Sequence, residues 1–204
     1  MTMRKTVAVV ALALMFGVGT ASASVMEGRN TNKISVGYQG QDLAGVGNVG
    51  TADLGTLNGF SVRSWVSNQV GVEGNISVGN WTDENNLGVS VTEDSVLLGT
   101  IKGLYAPVVR ENSRFYVGLE AGLGRFNEEE TSHSTANNSI YVVKPLIGVE
   151  YNFAGIPELG INFEVGYLFA GIHWDEDVYG AGSVEPYRNS TSGISLGWGA
   201  HYYF

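Results

Sequence analysis

The sequence has no cysteine, four prolines and only 15% charged residues among its 204. Without cysteine there are no disulfide staples, no thiol nucleophile and no thiolate metal site. Basic residues are also scarce, with 11 Lys and Arg against 20 Asp and Glu. Phosphate contacts need Lys and Arg, so this balance argues against nucleic acid as a partner. After residue 23 no stretch approaches 18 consecutive apolar residues. Any crossing of a membrane by that part of the chain must therefore be made by a closed barrel of strands, since only helices and closed barrels satisfy their backbone in lipid.

What is abundant is glycine, with 29 residues, about twice the usual share of roughly 7%. Tyrosine follows with 10. Much Gly, many Tyr and β-branched residues, and polar turns point to many short strands rather than helices.

The first 23 residues have the three parts of a secretory leader in order. Arg4 and Lys5 form a basic start, Val7 to Val18 an apolar run, and Ala21-Ser22-Ala23 a small-x-small cleavage site. We expect a leader over 1–23 and one all-β domain over 24–204. Losing the leader removes two cations and no acid, taking the formal charge from −9 to −11.

From Thr31 onward apolar residues alternate with polar or small ones in eight segments, at 31–40, 58–67, 70–80, 95–106, 114–125, 140–153, 158–170 and 193–204. The clearest runs Leu159, Ile161, Phe163, Val165, Tyr167, Phe169, with Gly160, Asn162, Glu164 and Gly166 between. Strict alternation means a strand with two unlike faces. Linkers alternate too. Asn68-Gln69, Pro107 to Ser113 and Ala154 to Pro157 are short; Gln41 to Leu57, Trp81 to Asp94, Phe126 to Ser139 and Gly171 to Ser192 are long. Short periplasmic turns, long external loops and an even strand count are the signature of an eight-stranded antiparallel transmembrane β-barrel with up-and-down topology. The non-apolar face is mainly Gly, Ser and Asn with a few charges, which suits a narrow interior better than a soluble surface. Tyr105, Tyr141, Tyr151, Tyr167, Trp198 and Tyr202 near segment ends fit interfacial aromatic girdles. The competing arrangement is a lipocalin-like soluble barrel with its apolar faces inward.

The last nine residues, Leu196-Gly-Trp-Gly-Ala-His-Tyr-Tyr-Phe204, end in Phe with alternating apolar residues upstream. Trp198, Ala200, Tyr202 and Phe204 resemble the C-terminal signal that outer-membrane barrels present to their assembly machinery. Phe115-Tyr-Val-Gly-Leu-Glu-Ala-Gly-Leu-Gly-Arg-Phe126 resembles the Gly-alternating strand of small OmpA/OmpX-like and opacity-type barrels. The resemblance spans about 31–204. It implies the cell outer membrane as location, with lipopolysaccharide and the barrel-assembly machinery as partners. It says little about activity, because one fold hosts structural, adhesive and enzymatic members.

With apolar faces outward, the interior receives Arg63, Glu73, Lys102, Glu120, Lys144, Glu150, Glu164 and His201. Buried charges must pair or hold water. We expect an ion-pair plug in an interior just wide enough to be filled by side chains. A small passive channel is the alternative. The acidic runs Glu128 to Glu130, Asp175 to Asp177, Asp83-Glu84 and Glu93-Asp94 lack the ordered spacing of a calcium loop and read as solvated loops. No metal or cofactor is expected. His133-Ser134-Thr135 resembles the His-x-Ser of lipid A deacylases only loosely, with Thr135 in place of the Ser. We assign no catalytic residue and no enzyme activity. Gly45-Val-Gly47 and Gly118 to Gly124 have no strand-to-helix context and are not phosphate loops. The favoured reading is a structural or surface-interaction protein acting through its external loops.

Overall fold

The computed structural model describes residues 30, 32–42, 55–84, 90–130, 134–174 and 188–204. The leader with Ala21 and Ala23, His133, and Asp175 to Asp177 lie outside these.

Eight strands follow in order: β1 Ile34–Asp42, β2 Thr56–Trp65, β3 Val70–Glu84, β4 Ser90–Arg110, β5 Ser113–Glu130, β6 Ser134–Phe153, β7 Ile156–Trp174 and β8 Arg188–Tyr203. Each pairs antiparallel with its neighbour, and β1 pairs with β8 to close the barrel. Closure leaves no end strand, which is the condition for a sheet to sit in lipid.

The alternation in the sequence becomes an inside and an outside. On β4, Ile101 is 72% exposed while Lys102 beside it is 1% exposed. On β5, Leu123 is 74% exposed and Glu120 is 2% exposed. Val62, Ile76, Ile147, Phe163 and Ile194 are likewise exposed around the circumference. Each such side chain forgoes roughly 1.5–3 kcal/mol if its surroundings are water. A continuous apolar belt of this kind belongs in a bilayer. This excludes the inward-apolar, lipocalin-like arrangement.

Aromatics mark the belt margins. Tyr151 and Phe153, and Tyr202 and Phe204, form edge-on ring pairs with centroids 5.7 and 5.2 Å apart near the short-turn end. Tyr167 and Phe169 pair at 5.0 Å further toward the other end. Trp198 lies across Gly40 of β1, where an added Cβ would come within 2.5 Å of the indole.

Three features differ from expectation. Trp81 to Asp94 and Phe126 to Ser139, expected as long loops, are largely strand. β3 and β4 run on to Glu84 and Ser90, and β5 and β6 to Glu130 and Ser134. Apolar alternation stops there in the sequence while backbone pairing continues. The acidic Asp83-Glu84, Glu93-Asp94 and Glu128 to Glu130 are therefore strand residues rather than loop residues. Second, β4 continues through Pro107 to Arg110, and the β4–β5 register shifts between Tyr105 and Val108. Proline cannot donate to the ladder, and the irregularity absorbs it. Third, the interior is not polar throughout. Leu57, Leu98, Leu104, Ile140, Leu146 and Leu168 point inward and are buried.

Candidate functional site

The barrel interior is where chemistry-bearing side chains converge, and strand parity decides which. Arg63 on β2, Glu73 on β3 and Lys102 on β4 stand in cross-strand register, Arg63 opposite Glu73 and Glu73 opposite Lys102. Lys102 is in turn opposite Glu120 on β5, and Glu120 opposite Lys144 on β6. A run of alternating sign thus crosses five adjacent strands. Glu164 on β7 and Glu150 on β6 enter from the other side. All eight residues expected inside, His201 included, are buried in the interior.

Arg63 is the hub. Its guanidinium is fully buried and pairs with Glu73, with Glu150 at 2.7 Å and with Glu164 at 3.3 Å. Lys102 bridges Glu73 at 2.8 Å and Glu164 at 2.7 Å. Lys144 pairs with Glu120 at 2.6 Å. His201 hydrogen-bonds with Ser61 instead of joining a carboxylate.

Pattern reading left several members out. Arg114 pairs with Glu150 at 3.4 Å and lies 4.6 Å from the Trp65 ring centroid. With it, the buried charges among the described residues are four cations and four carboxylates. The signal was available, because Arg114 is one step before outward Phe115. It stands at a segment boundary, where alternation has only one neighbour to define it. Three aromatic donors complete the carboxylates. Tyr116 donates to Glu164 at 2.9 Å, Tyr203 to Glu150 at 2.7 Å and the Trp65 indole to Glu150 at 3.3 Å. Tyr116 also places its ring 5.5 Å from the Arg63 guanidinium carbon. Gly148 of β6 makes room for that ring, since a Cβ there would sit 2.5 Å from it.

Such a network is costly to desolvate, and only near-complete pairing makes it tolerable. Here Glu150 alone receives Arg63, Arg114, Trp65 and Tyr203. These charges are held rather than poised, with every carboxylate bound to at least one cation. A nucleophile and base with access to substrate are not formed from this set.

Below the network, toward the short turns, Trp65, Leu104, Ala106, Tyr116, Leu146 and Tyr203 form an apolar and aromatic cluster. Two residues ahead of β1 are tied to this end. Asn32 adopts φ 62° and donates its backbone N–H to Trp65 at 2.7 Å, and Asn30 donates its amide to the Pro157 carbonyl at 2.8 Å. Asn tolerates that left-handed conformation better than most residues.

The remaining expected sites can now be located. Trp198, Ala200, Tyr202 and Phe204 occupy the outward face of β8 and its end, and the Phe204 amide donates to Ile34 at 2.9 Å. Ser134 and Thr135 lie in β6, opposite Glu130 and Glu129 of β5. Among the described residues no group of three or more acidic or His side chains is arranged to hold a metal ion.

No protein-family model matches the chain, and no curated protein sequence does. Solved structures match its fold. The outer membrane protein OprG from Pseudomonas aeruginosa aligns with TM-score 0.54 at 14% identity, over 87% of this chain and 98% of that one. Neisserial surface protein A aligns with TM-score 0.51 at 15% identity, over 84% of this chain and 97% of that one. At such identities the likeness is one of fold. The chain has the architecture of the small eight-stranded outer-membrane β-barrels, apolar outside and ion-paired within.

Proposed function

We propose that this chain is an integral protein of the bacterial outer membrane, exported by a leader over 1–23 and inserted through its C-terminal strand. Its barrel is a closed scaffold, and its work is done by the long-loop end. There the chain contacts lipopolysaccharide or another surface. The observation that carries this reading is the paired interior. Four cations and four carboxylates bind one another across a lumen backed by aromatic side chains, and such mutual pairing supports a closed scaffold over an open channel.

The test has two parts. Outer-membrane fractionation with a gel run before and after boiling should give a heat-modifiable band in the outer-membrane fraction. A soluble periplasmic band with no shift would overturn the location. Reconstituted in planar bilayers, the protein should give no discrete conductance steps, and steady single-channel currents would replace the scaffold reading with a channel. An enzymatic role at His133-Ser134 predicts altered lipid A mass on expression, and we expect none.

A further inference from the structure

We propose that an outward row on β5 to β8, made of Arg125, Ser139, His173 and Arg188, holds the phosphorylated headgroup of an outer-leaflet saccharide lipid. The proposal rests on the lipopolysaccharide contact inferred above. It adds where on the wall that contact is made and by which charges.

The chain is poor in cations, with 11 Lys and Arg, so their placement is informative. Among the described residues, Arg63, Lys102, Arg114 and Lys144 are buried in the interior, and Lys33 and Arg110 stand at the short-turn end. That leaves Arg125 of β5 and Arg188 of β8 at the loop end. Barrel register brings these two into one row. Arg125 is opposite Ser139, Ser139 opposite His173, and His173 opposite Arg188. Direct partners in an antiparallel ladder share a face of the sheet. Arg125 and Ser139 are exposed on the outer face, and His173 is half-buried there. Three strand spacings of about 4.8 Å make the row roughly 14 Å long.

The row begins where the lipid-facing surface ends. Just before Arg125 on the outer face of β5 is Leu123, 74% exposed. Next to Ser139 on the outer face of β6 is Tyr141, whose ring covers Gly171 of β7. The Tyr167 and Phe169 ring pair continues this margin toward the belt. An occupant of the row has its polar part beside Arg125 and its apolar part against Leu123, Tyr141 and Phe169. That describes a lipid and not a free ion. Arginine grips phosphate through parallel N–H donors. The hydroxyl and imidazole between the two arginines suit the hydroxyls of a sugar. Glu93 and Glu129 are opposite each other on β4 and β5. Glu129 lies four residues beyond Arg125, roughly 13 Å further along the strand. An anionic headgroup therefore meets Arg125 short of these acids, which bias it toward the β5 to β8 side.

The test is native mass spectrometry of the full barrel released from detergent micelles that contain bisphosphorylated lipid A, repeated with dephosphorylated lipid A. The barrel should retain the bisphosphorylated form and lose the other. Arg125→Gln and Arg188→Gln should each lower affinity about fivefold, as expected for one basic residue at a charged lipid surface, and about 25-fold together. Arg125→Lys with Arg188→Lys, which keeps both charges, should recover most of that loss. Arg110→Gln, at the other end of the barrel, should leave affinity unchanged, and every variant should keep the heat-modifiable band. Affinity that is the same in the parent and the double Gln variant would overturn the row and leave a lipopolysaccharide contact elsewhere at the loop end. Equal retention of the two lipid A forms would overturn the phosphate recognition. Displacement by millimolar inorganic phosphate would make this a free-phosphate site and overturn the lipid assignment. A parent barrel that retains neither lipid would overturn the row and the lipopolysaccharide reading together.

Discussion

Removing the Arg63 charge is the most informative perturbation of the interior. Arg63→Met keeps length and apolar bulk but withdraws the contacts to Glu73, Glu150 and Glu164. The three carboxylates do not lose equally. Glu73 and Glu164 keep Lys102 at 2.8 and 2.7 Å. Glu150 keeps Arg114 at 3.4 Å and donors from Trp65 and Tyr203. Overall the interior goes from balance to one excess negative charge. Breaking a buried pair by removing one partner costs roughly 3–5 kcal/mol, and the surviving partners place the expected loss near the lower end, about 3 kcal/mol. The compensated double change, Arg63→Met with Glu164→Gln, restores balance and should recover more than half of that loss. Glu150→Gln combined with Arg63→Met should do the same. The assay is urea-dependent folding into lipid vesicles, read by the mobility difference between folded and unfolded bands, alongside bilayer conductance. A single mutant within about 0.5 kcal/mol of the parent, with no gain in conductance, would refute the reasoning. It would mean that water already neutralises these charges and that the interior is wetter than the pairing implies.

Other expectations follow from single positions. Gly148→Ala places a methyl against the Tyr116 ring, so it should cost about 1–3 kcal/mol in the same folding assay while the neighbouring outward Val149→Ala costs less. Ile101→Arg, on the lipid face, should cost about 2–4 kcal/mol if it lies near the bilayer midplane, and a negligible cost would place the belt elsewhere. Deleting Phe204 should lower the amount of protein in the outer membrane several-fold while leaving refolding from urea into vesicles nearly unchanged; equal loss in both assays would make Phe204 a stability residue rather than an assembly signal. Mass spectrometry of the exported protein should find Ser24 as the first residue, and an intact residue 1–23 segment would remove the leader assignment.

The alternation of Phe163, Val165, Tyr167 with Asn162, Glu164, Gly166 was enough to determine strand type, and eight such segments gave the strand number and the inward face of the charged residues. The reason is that a period of two leaves no freedom once one face must meet lipid. The inward placement of Arg63, Glu73, Lys102, Glu120, Lys144, Glu150, Glu164 and His201 follows from the same parity. Parity carries no information on height or on pairing across the lumen. That Arg63 meets Glu150, 87 residues away, depends on barrel closure and strand stagger, which only the tertiary structure sets. The reach of β5 and β6 to Glu130 and Ser134 was hidden for a related reason: above the lipid, pairing persists through backbone hydrogen bonds that leave no hydrophobic period. The inward side of Leu57, Leu98 and Leu168 was hidden because Leu reads as lipid-facing until the ladder fixes its side. Sequence therefore determined the two faces of the wall, and tertiary structure decided what meets what inside it.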